Sequence, residues 1–595
     1  MFKKKRAPLT RSTLVNPFAG EFLLHVQQED IVLATNDNDV IIVDSIAGSS
    51  KTCTQVVMAH NNHVDSLYLT FSKALAVEAE SMFPDNVECR TIHSLAYREK
   101  GADIAHKLSR PRGKYKNVAG TGSEIARYYK IKHLDIDEDN TIKNTLIGLM
   151  VKQTIAKYEA SNDEYISKEH LPYALIKVTE NKYKGLPKKE LKKILSRLYK
   201  MVLLYTNKLW VDRQDSMSPV LASHDTYCKV WALTKPTINC KLLYLDEIQD
   251  ASMVFMGIVQ NQIGKCKMVL VGDPDQSLYA WRYSVNGLAL VEGKQMNLEQ
   301  SFRYGQRSAD LAMLILDNGR KMKGFSEMDT KVGSEGIVDT SKPYVKLFRM
   351  NSTLLQEALT LISEGKKVNI HVDVKDYVKM LESAEALYLG KIAKVKHEEI
   401  LPFDTWEELK EEAKASGILS RVYNTVKNGQ TYKTVTLLQS HKNISKPEVT
   451  LMSCHKSKGQ TFDYVVLADD FESNYDKYGK WVGIDEAERR LLYVGVTRAK
   501  YGVQYNSTVQ EIVDKAASDE LMYSCNEDIQ VLSSSCGGAE QAGYELQSVV
   551  QMEALRDDYA NHTMSDEDAF ENGFLDELGY TTGHADFKDQ RILPF

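Results

Sequence analysis

A pair of adjacent carboxylates at the end of an apolar segment is the feature that most constrains this chain. Asp246 and Glu247 directly follow the four apolar residues Leu242–Leu245. Short uninterrupted apolar runs of this kind are typical of strands buried on both faces of a parallel sheet. Nucleotide hydrolysis needs one carboxylate to hold Mg²⁺ and another to orient the attacking water, both at a rigid strand tip. An isolated Asp-Glu pair is more often an exposed strand end, so the choice depends on the rest of the chain.

A second strand end of this type lies earlier in the sequence. Val40–Val43 is apolar and leads through a loop of small residues to Lys51 and Thr52. A strand, a tight loop and Lys-Thr at a helix start can wrap backbone N–H groups around a triphosphate, with Lys51 at the β- and γ-phosphates and Thr52 on Mg²⁺. The alternative is an ordinary strand-loop-helix connection, because Ser45 and Ser50 stand where the full pattern has glycine. We expect the side chain of Ser50 to crowd the phosphates or strain the loop.

Other polar and aromatic residues also follow apolar segments. Phe71 ends the segment 67–70, His93 follows a third segment, and Gln276 follows a fourth. Because the carboxyl ends of parallel strands share one sheet edge, where open α/β folds bind ligands, we expect these residues to lie together. Gln28, in a helical segment before the first strand, is a candidate for reading the adenine edge. The alternatives are core or surface positions for all of these side chains.

Length and composition exclude several protein classes. With 595 residues, of which 43% are hydrophobic and 26% charged, the chain has room for several domains with sizeable cores. No apolar run approaches the roughly 20 residues of a membrane span, and the basic residues 3–6 are not followed by an apolar signal core. We therefore expect a protein inside the cell, in the cytoplasm or nucleoid, or in the nucleus of a eukaryote, with no membrane partner.

The cysteines predict neither disulfides nor a structural metal. They stand at positions 53, 89, 228, 240, 266, 454, 525 and 536, with no Cys-x-x-Cys pair. In a long intracellular chain this spacing is typical of free thiols.

The charge is unevenly distributed. From residue 516 to the end there are 17 Asp and Glu against 3 Lys and Arg, so the tail is strongly acidic and the body is basic, although the whole chain has a net charge of -6. A basic body suits a polyanion partner. Acidic tails are usually disordered and solvating. The alternative is that the acidic stretch 565–568 and the apolar end 592–595 resemble the tips of single-stranded-DNA-binding proteins, which dock partners or compete with DNA.

Two stretches interrupt the strand-rich pattern. Residues 97–208 have helical periodicity and basic clusters at 107–116 and 188–193. Charged runs are usually solvated helix faces, but together these clusters can form one wall of a nucleic-acid groove. Residues 353–447 are mixed and charged, with a helical segment at 406–413, and we interpret them as a second insertion.

The motifs occur in an order that resembles one family. In chain order they are Gln28, Ala47-Gly48-Ser49-Ser50-Lys51-Thr52, Thr91-Ile92-His93-Ser94, Asp246-Glu247-Ile248-Gln249-Asp250, the segment Gly272 to Arg282, Ser301-Phe302-Arg303 and Tyr493-Val494-Gly495-Val496-Thr497-Arg498-Ala499. This set resembles the UvrD/PcrA/Rep group of superfamily I DNA helicases. Within that group, further segments resemble the F-box DNA helicase branch, namely 224–231, 403–409 and 455–459. We find no F-box segment near the N-terminus.

The resemblance implies an α/β fold. It consists of two RecA-like P-loop NTPase domains, parallel sheets flanked by helices, with inserted subdomains and ATP between the domains. The implied divisions are 1–96 and 209–297 for the first domain, 97–208 for a mainly helical insertion, 298–352 and 448–515 for the second domain, 353–447 for a small insertion and 516–595 for the acidic tail.

The resemblance also implies residue roles. The implied catalytic residues are Asp246, the base Glu247, the γ-phosphate sensor Gln276 and the arginine fingers Arg303 and Arg498. The implied ATP-binding residues are Gln28, Ala47, Gly48, Ser49, Ser50, Lys51, Thr52 and the adenine-stacking Phe302, with Thr52 and Asp246 as Mg²⁺ ligands. The implied DNA-binding residues are Phe71, His93, Tyr279, Trp281, Arg282 and His455, whose aromatic members stack on bases without sequence preference.

The implied activity is that of an ATP-dependent DNA helicase or translocase. It would use ATP with Mg²⁺, move 3′ to 5′ on single-stranded DNA, unwind tailed duplexes and displace recombinase or single-stranded-DNA-binding proteins in recombination, repair or replication. One alternative is a motor that displaces proteins with little unwinding, because the second insertion is smaller than that of UvrD. Thr461 stands where the family pattern has Glu, so a contact to the nucleotide ribose or one that couples hydrolysis to movement is in question. A second alternative is a catalytically weak nucleic-acid-binding scaffold, suggested by Ser50.

Overall fold

The computed structural model describes residues 8–20, 23–108, 118–137, 140–279, 283–372, 374–413, 417–440 and 444–519. Trp281 and Arg282, most of the first basic cluster and the tail from residue 520 lie outside these ranges. Among the described residues, those up to Ile512 belong to one compact unit and those from Val513 to a second. In the second unit, Lys515 Nζ and Asp519 Oδ1 form an ion pair of 2.5 Å. Both sheets and the candidate site belong to the first unit.

Six parallel strands from the first half of the chain form one sheet. They are β1 (Val40–Ser45), β2 (Ser66–Thr70), β3 (Val87–Thr91), β4 (Leu242–Leu245), β5 (Lys267–Gly272) and β6 (Lys294–Leu298). Their spatial order is β6-β1-β5-β4-β2-β3, and each neighbouring pair is parallel. Strands β2 and β4 are buried at every residue, as expected for a parallel sheet covered on both faces.

Six further parallel strands form a second sheet. They are β7 (Lys331–Gly333), β8 (Tyr344–Phe348), β9 (Val368–His371), β10 (Val449–Ser453), β11 (Phe462–Leu467) and β12 (Ala499–Gln504). Their spatial order is β7-β12-β11-β8-β10-β9. The expected α/β fold with parallel sheets flanked by helices is confirmed.

Helices cover both faces of the first sheet. The α-helices are α1 (Val26–Ala34), α2 (Lys51–Asn61), α3 (Lys73–Met82), α4 (Ile92–Ala96), α5 (Gly122–Tyr128), α6 (Asn144–Ala160), α7 (Tyr173–Lys182), α8 (Lys188–Gln214), α9 (His224–Leu233), α10 (Met253–Gln260), α11 (Gln306–Leu316), α12 (Asn351–Ser363), α13 (Val374–Tyr388), α14 (Trp406–Ala413), α15 (Gly417–Lys427), α16 (Thr431–Ser440), α17 (Cys454–Ser457) and α18 (Glu486–Val496). Helices α1, α2 and α3 share a core with one face, which includes Val43 and Tyr244. Helices α4, α9 and α10 share a core with the other, which includes Ile42 and Leu245. Within the described ranges, none of the helices is long and apolar enough to cross a membrane.

The first insertion has an apolar core of its own. Helices α5 to α8 contribute to this core, and Val118 pairs with Val220 where the insertion begins and ends. Ile104, by contrast, lies in the core of the first sheet. Helix α8 continues as a single helix through residue 208, the expected end of this insertion.

Residues 353–447 are joined to the second sheet by a strand and a shared core. Strand β9 pairs with β10 as the outermost strand of that sheet. Helices α12 to α16 pack in the same core as Phe348 and Leu451 of β8 and β10. The sequence pattern did not reveal this arrangement because β9 has only four residues, two of them the polar Asn369 and His371.

The two insertions contact each other through ion pairs. Asp404 pairs with Lys143 and with Lys182, the latter at 2.8 Å between Oδ2 and Nζ. Lys182 Nζ is also 3.0 Å from Glu408 Oε1. Partly exposed pairs of this kind each contribute at most about 1 kcal/mol, so the contact is readily broken.

Candidate active site

The loop between β1 and α2 turns through two residues with positive φ. Gly48 has a φ of 75° and Ser50 a φ of 58°. A Cβ at Gly48 would lie 2.6 Å from Arg303 Cβ and 2.7 Å from Ser301 Oγ, so only glycine fits here. The Phe302 N–H donates to the Gly48 carbonyl oxygen at 2.8 Å. The loop is therefore held against the segment that leads from the first sheet to the second.

Ser50 adopts a backbone conformation that favours glycine, and the phosphate-loop pattern has glycine at this position. Its φ and ψ are 58° and 43°, in the left-handed region, directly before α2 begins at Lys51. For a residue with a Cβ this conformation costs about 1–2 kcal/mol. The strain expected at Ser50 is therefore present in the structure.

Ser50→Gly should relieve this strain and make more room for phosphate. We expect the free energy of unfolding to rise by about 0.5–1 kcal/mol, since the greater freedom of glycine in the unfolded chain offsets part of the gain. The KM for ATP should fall. Thermal unfolding and an ATPase titration measure both effects.

Ser49→Gly is the matched control. Ser49 is buried, has a negative φ, and its Oγ donates to the Ile46 carbonyl oxygen at 2.9 Å. This variant should lose stability. A Ser50→Gly protein no more stable than wild type would contradict the strain argument.

Asp246 is placed to share a cation with Thr52. Thr52 Oγ1 donates to Asp246 Oδ2 at 2.9 Å, and Tyr68 OH donates to the same oxygen at 2.8 Å. Burial, reinforced by the charge of Glu247, raises the pKa of Asp246. A nearby cation would stabilise the ionised form of this carboxylate, and hydroxyl and carboxylate oxygens are ligands that Mg²⁺ accepts. Thr52 and Asp246 therefore fit a magnesium ion.

Glu247 lies between two ammonium groups. Its Oε1 is 3.7 Å from Lys51 Nζ, and its Oε2 is 3.8 Å from Lys458 Nζ. Gln249 Nε2 donates to Oε2 at 2.6 Å. Although burial acts in the opposite direction, these groups hold the pKa of Glu247 well below its ordinary value. Glu247 is therefore ionised at neutral pH and can accept a hydrogen bond from water.

Gln276 belongs to a hydrogen-bonded network between the two halves of the chain, the first of which carries the first sheet and the second of which carries the second sheet. Gln276 Nε2 and Tyr493 OH donate to Asp273 Oδ2 at 2.6 and 2.8 Å. The Ala47 N–H donates to Tyr493 OH at 2.9 Å. Burial, together with the charge of Asp273, raises the pKa of Tyr493, so its hydroxyl remains a donor. Tyr493 on α18 thus links the phosphate loop to Gln276.

Two arginines from the second half of the chain lie beside this network. Arg498 Nη2 is 3.5 Å from Gln276 Oε1 and donates to Thr497 Oγ1 at 3.0 Å. Arg303 Nη1 donates to the Thr497 carbonyl oxygen at 3.4 Å. Burial, with the charge of Arg303 nearby, lowers the pKa of Arg498 to about 9. Two cations held close together in a buried place favour an anion between them.

Lys458 is a site residue to which the sequence analysis assigned no role. Its Nζ donates to Asp250 Oδ2 and to the Gln276 carbonyl oxygen, both at 2.5 Å, and lies 5.5 Å from the centre of the Tyr279 ring. Although burial acts against its charge, Asp250 and Glu247 raise the pKa of Lys458. Its motif is visible in the sequence, but its partners are some 180 to 210 residues away.

Arg320 was also missed, and no motif in the sequence indicates it. Its guanidinium pairs with Asp44, Asp273 and Asp275, at 3.0 Å from Asp273 Oδ1, and donates to the Ser45 carbonyl oxygen at 2.7 Å. The residue follows α11, so it fastens the second half of the chain to the carboxyl ends of β1 and β5.

Gln28 and Phe302, the two residues expected to contact adenine, differ in burial. Gln28 is buried, its Oε1 accepts from the His25 N–H at 3.0 Å, and its Nε2 donates to Thr54 Oγ1 at 3.0 Å. In this structure Gln28 therefore joins α1 to α2, and adenine recognition stays a prediction. Phe302 is half-buried, with its ring edge-on to Phe325 at 5.8 Å between centroids.

Tyr279 and His455 lie together across the boundary between the two halves. Tyr279 OH donates to the His455 carbonyl oxygen at 3.2 Å, and the ring centroids are 6.5 Å apart. Burial, followed by the charges of Arg349 and Lys458, lowers the pKa of His455 to about 4. The imidazole is neutral at neutral pH and so retains an uncharged face for stacking.

Phe71 and His93 lie at the carboxyl ends of β2 and β3. Phe71 is half-buried and packs edge-on against Phe255, with centroids 5.3 Å apart. His93 is half-buried, and its Nε2 lies 3.0 Å from Asp225 Oδ1. Their positions on the same sheet edge agree with the expected clustering, whereas DNA contact stays a prediction.

Two family models match the chain. The UvrD/REP helicase N-terminal domain matches residues 24–296, and the UvrD-like helicase C-terminal domain matches residues 448–503. The first range contains the phosphate loop and Glu247, and the second contains Lys458 and Arg498. Together the matched ranges cover more than half of the chain.

Named relatives are DNA helicases. F-box DNA helicase 1 of Gallus gallus is 27% identical over 569 residues, with 89% of this chain and 53% of the relative covered. F-box DNA helicase protein 1 of Schizosaccharomyces pombe is 26% identical over 522 residues, covering 80% and 56%. ATP-dependent DNA helicase srs2 of the same yeast is 28% identical over 139 residues, covering 22% and 14%. The chain thus spans about half the length of the first two relatives.

A solved structure titled "The structure of PRRSV helicase" aligns with 81% of this chain and 53% of its own, at 10% identity and a TM-score of 0.25. That likeness is too low to support an argument. The two family models, by contrast, match both of the ranges that contribute residues to the site, and they identify the family. The chain belongs to the UvrD-like helicase family.

Proposed function

We propose that the protein is an ATP-dependent DNA motor, a helicase or translocase that moves 3′ to 5′ on single strands. One observation carries the proposal, namely that charged and polar residues from both halves of the chain meet at one site that includes Gln276. From the first half come Lys51, Thr52, Asp246 and Glu247, and from the second come Arg303, Lys458 and Arg498. A site divided in this way can change shape as its ligand changes.

Hydrolysis of ATP would use these groups in distinct roles. Lys51 and the backbone of the phosphate loop would bind the β- and γ-phosphates. Thr52 and Asp246 would hold Mg²⁺, which neutralises phosphate charge when bound. Glu247 would orient the attacking water, and its low pKa suits this role because a loose phosphoryl-transfer transition state needs positioning more than a strong base. Arg303 and Arg498 would stabilise the charge that develops on the transferred phosphoryl group.

Coupling to DNA would run through the segment after β5. Gln276 touches Arg498 on one side, and its carbonyl oxygen accepts from Lys458 on the other. Three residues later, Tyr279 contacts His455. Loss of the γ-phosphate would loosen the arginines, shift the second half of the chain and move the Tyr279–His455 pair relative to a stacked base.

A motor that displaces proteins with little unwinding is the second candidate. The joining of residues 353–447 to the second sheet supports it, because a region that shares the sheet core offers less free surface for gripping a duplex. Recombinase or single-stranded-DNA-binding proteins would be the displaced partners, in recombination, repair or replication. A DNA substrate implies a location in the nucleoid or nucleus.

Paired assays distinguish these candidates. With ATP and Mg²⁺, we expect strand separation on a duplex with a 3′ single-stranded tail and none on the same duplex with a 5′ tail. Removal of recombinase from single strands without strand separation would favour the second candidate. If neither activity depended on ATP, the motor proposal would fail.

A further inference from the structure

A short hairpin between β11 and α18 presents aromatic and basic side chains to solvent. We call residues 474–483 the aromatic hairpin. Tyr475 and Trp481 form an antiparallel bridge, and their rings lie edge-to-face at 5.2 Å between centroids. The Asp476 N–H donates to the Lys480 carbonyl oxygen at 2.9 Å, which closes the turn. These bonds give the hairpin a defined shape.

The base of the aromatic hairpin is firmly anchored. Asn474 is fully buried, and its carbonyl oxygen accepts from the Val482 N–H at 2.8 Å. Its Nδ2 donates to the Thr508 carbonyl oxygen at 2.9 Å, and its N–H donates to Glu511 Oε2 at 2.7 Å. Because the base is fixed, little conformational entropy would be lost when the tip binds a ligand.

The tip combines an open aromatic ring with positive charge. Tyr478 is 80% exposed, and Lys477 Nζ lies 4.9 Å from the centre of its ring. The Asp476 carboxylate accepts from the N–H groups of Tyr478 and Lys480, both at 2.9 Å, so this acidic group is engaged in the turn. The tip therefore carries a net positive charge, from the exposed Lys477 and Lys480 against the one carboxylate of Asp476.

The aromatic hairpin grows from the sheet edge that carries His455. The carboxyl ends of β10, β8 and β11 are neighbours on this edge, because the strands are parallel and adjacent. His455 follows β10. Asp470, after β11, accepts from the Arg349 and Met350 N–H groups after β8, at 2.9 and 3.0 Å. The hairpin thus leaves the same edge of the sheet from which His455 follows β10.

We propose that the aromatic hairpin is a further binding site for single-stranded DNA, with Tyr478 stacking on a base and Lys477 and Lys480 contacting the phosphates on either side. The proposal rests on the proposed function and adds a contact beyond the expected DNA-binding residues. Aromatic rings interleaved with lysines on a rigid support match unpaired nucleic acid, whose bases expose their faces. A duplex keeps its base faces covered, so a single strand is the better fit.

Binding of the full chain to a fluorescent oligothymidine tests this site. Tyr478→Ala should weaken binding about tenfold, the effect of losing one stacked base. Tyr478→Trp should retain the affinity, because a ring face is kept. Lys477→Ala with Lys480→Ala should lower the slope of log affinity against log salt by about 1.4, the value for two phosphate contacts on a single strand. The ATPase rate at saturating DNA should stay at the wild-type level in all of these.

Tyr432→Ala is the matched control, since Tyr432 is 83% exposed on α16, outside the aromatic hairpin. It should bind as wild type does. If Tyr478→Ala bound oligothymidine with wild-type affinity, this inference would be overturned while the proposed function stood. The same holds if Tyr478→Ala lost as much affinity for a blunt duplex as for oligothymidine. If the wild-type chain neither bound oligothymidine nor responded to it in ATPase assays, the proposed function would fail together with this site.

Discussion

Replacing Arg498 by Ala should lower ATP turnover by about 10³-fold while leaving ATP affinity within a few-fold of wild type. Arg498 is fully buried and approaches Gln276 from the end of α18. Its charge would be needed most when negative charge builds up on the phosphoryl oxygens, so its loss affects the transition state more than the bound substrate. Steady-state ATPase kinetics and binding of a fluorescent ATP analogue measure the two quantities.

Three further variants distinguish the loss of the Arg498 guanidinium from a loss of folding. Arg498→Lys keeps a charge but loses the fork of the guanidinium, and it should recover little of the lost turnover. Arg303→Ala changes the neighbouring, less buried arginine and should have a comparable effect. Arg490→Ala is the control on α18, the helix that precedes Arg498, because Arg490 pairs with Glu486 at 2.5 Å instead. Turnover of Arg498→Ala within tenfold of the Arg490→Ala control would contradict the arginine-finger assignment.

Glu247→Gln should lower turnover by about 10²–10³-fold with ATP binding retained. The amide has nearly the same shape as the carboxylate but can neither accept a proton nor orient water as strongly. Because Lys51 and Lys458 hold the pKa of Glu247 well below its ordinary value, the carboxylate stays ionised as the pH falls. Wild-type turnover should therefore show no acid limb from Glu247 above about pH 5.

Retained nucleotide binding and an unchanged unfolding temperature would show that Glu247→Gln is intact. A variant that hydrolysed ATP at more than a tenth of the wild-type rate would remove Glu247 from the water-orienting role. If wild-type turnover fell at acid pH and this fall were absent in Glu247→Gln, the low pKa of Glu247 would be contradicted.

Local patterns predicted the parts of the site that are local in sequence. The apolar run Leu242–Leu245 became β4 with Asp246 and Glu247 at its end, and the small-residue loop became the turn before α2. Strain at Ser50 was also predictable, because it depends on one residue only, a side chain at a position where the phosphate-loop pattern has glycine.

Long-range packing explains most of what the sequence did not reveal. Arg320 reaches Asp44 across 276 positions, and no local spacing indicates such a pairing. Lys458 stands in a visible motif, yet its contacts with Asp250 and Gln276 exist only once the two halves fold together. The joining of residues 353–447 to the second sheet depends on four residues of β9, too few for a clear pattern.

Some expected contacts stay predictions. Gln28 is buried between α1 and α2, so adenine recognition would require its hydrogen bonds to rearrange. Trp281, Arg282 and the acidic tail lie outside the described residues. Truncation after residue 539 tests the tail, and unchanged DNA affinity and partner binding would rule out a docking role.

The ATPase rate of the wild-type protein and of Lys51→Ala, each with and without oligothymidine, tests the central claim most directly. Lys51 is the group that would hold the β- and γ-phosphates, and its Nζ already lies 3.7 Å from Glu247 Oε1. We predict that oligothymidine stimulates wild-type hydrolysis and that Lys51→Ala shows neither basal nor stimulated activity. Equal and negligible rates in both proteins, or a wild-type rate indifferent to DNA, would contradict the account of a DNA-dependent motor.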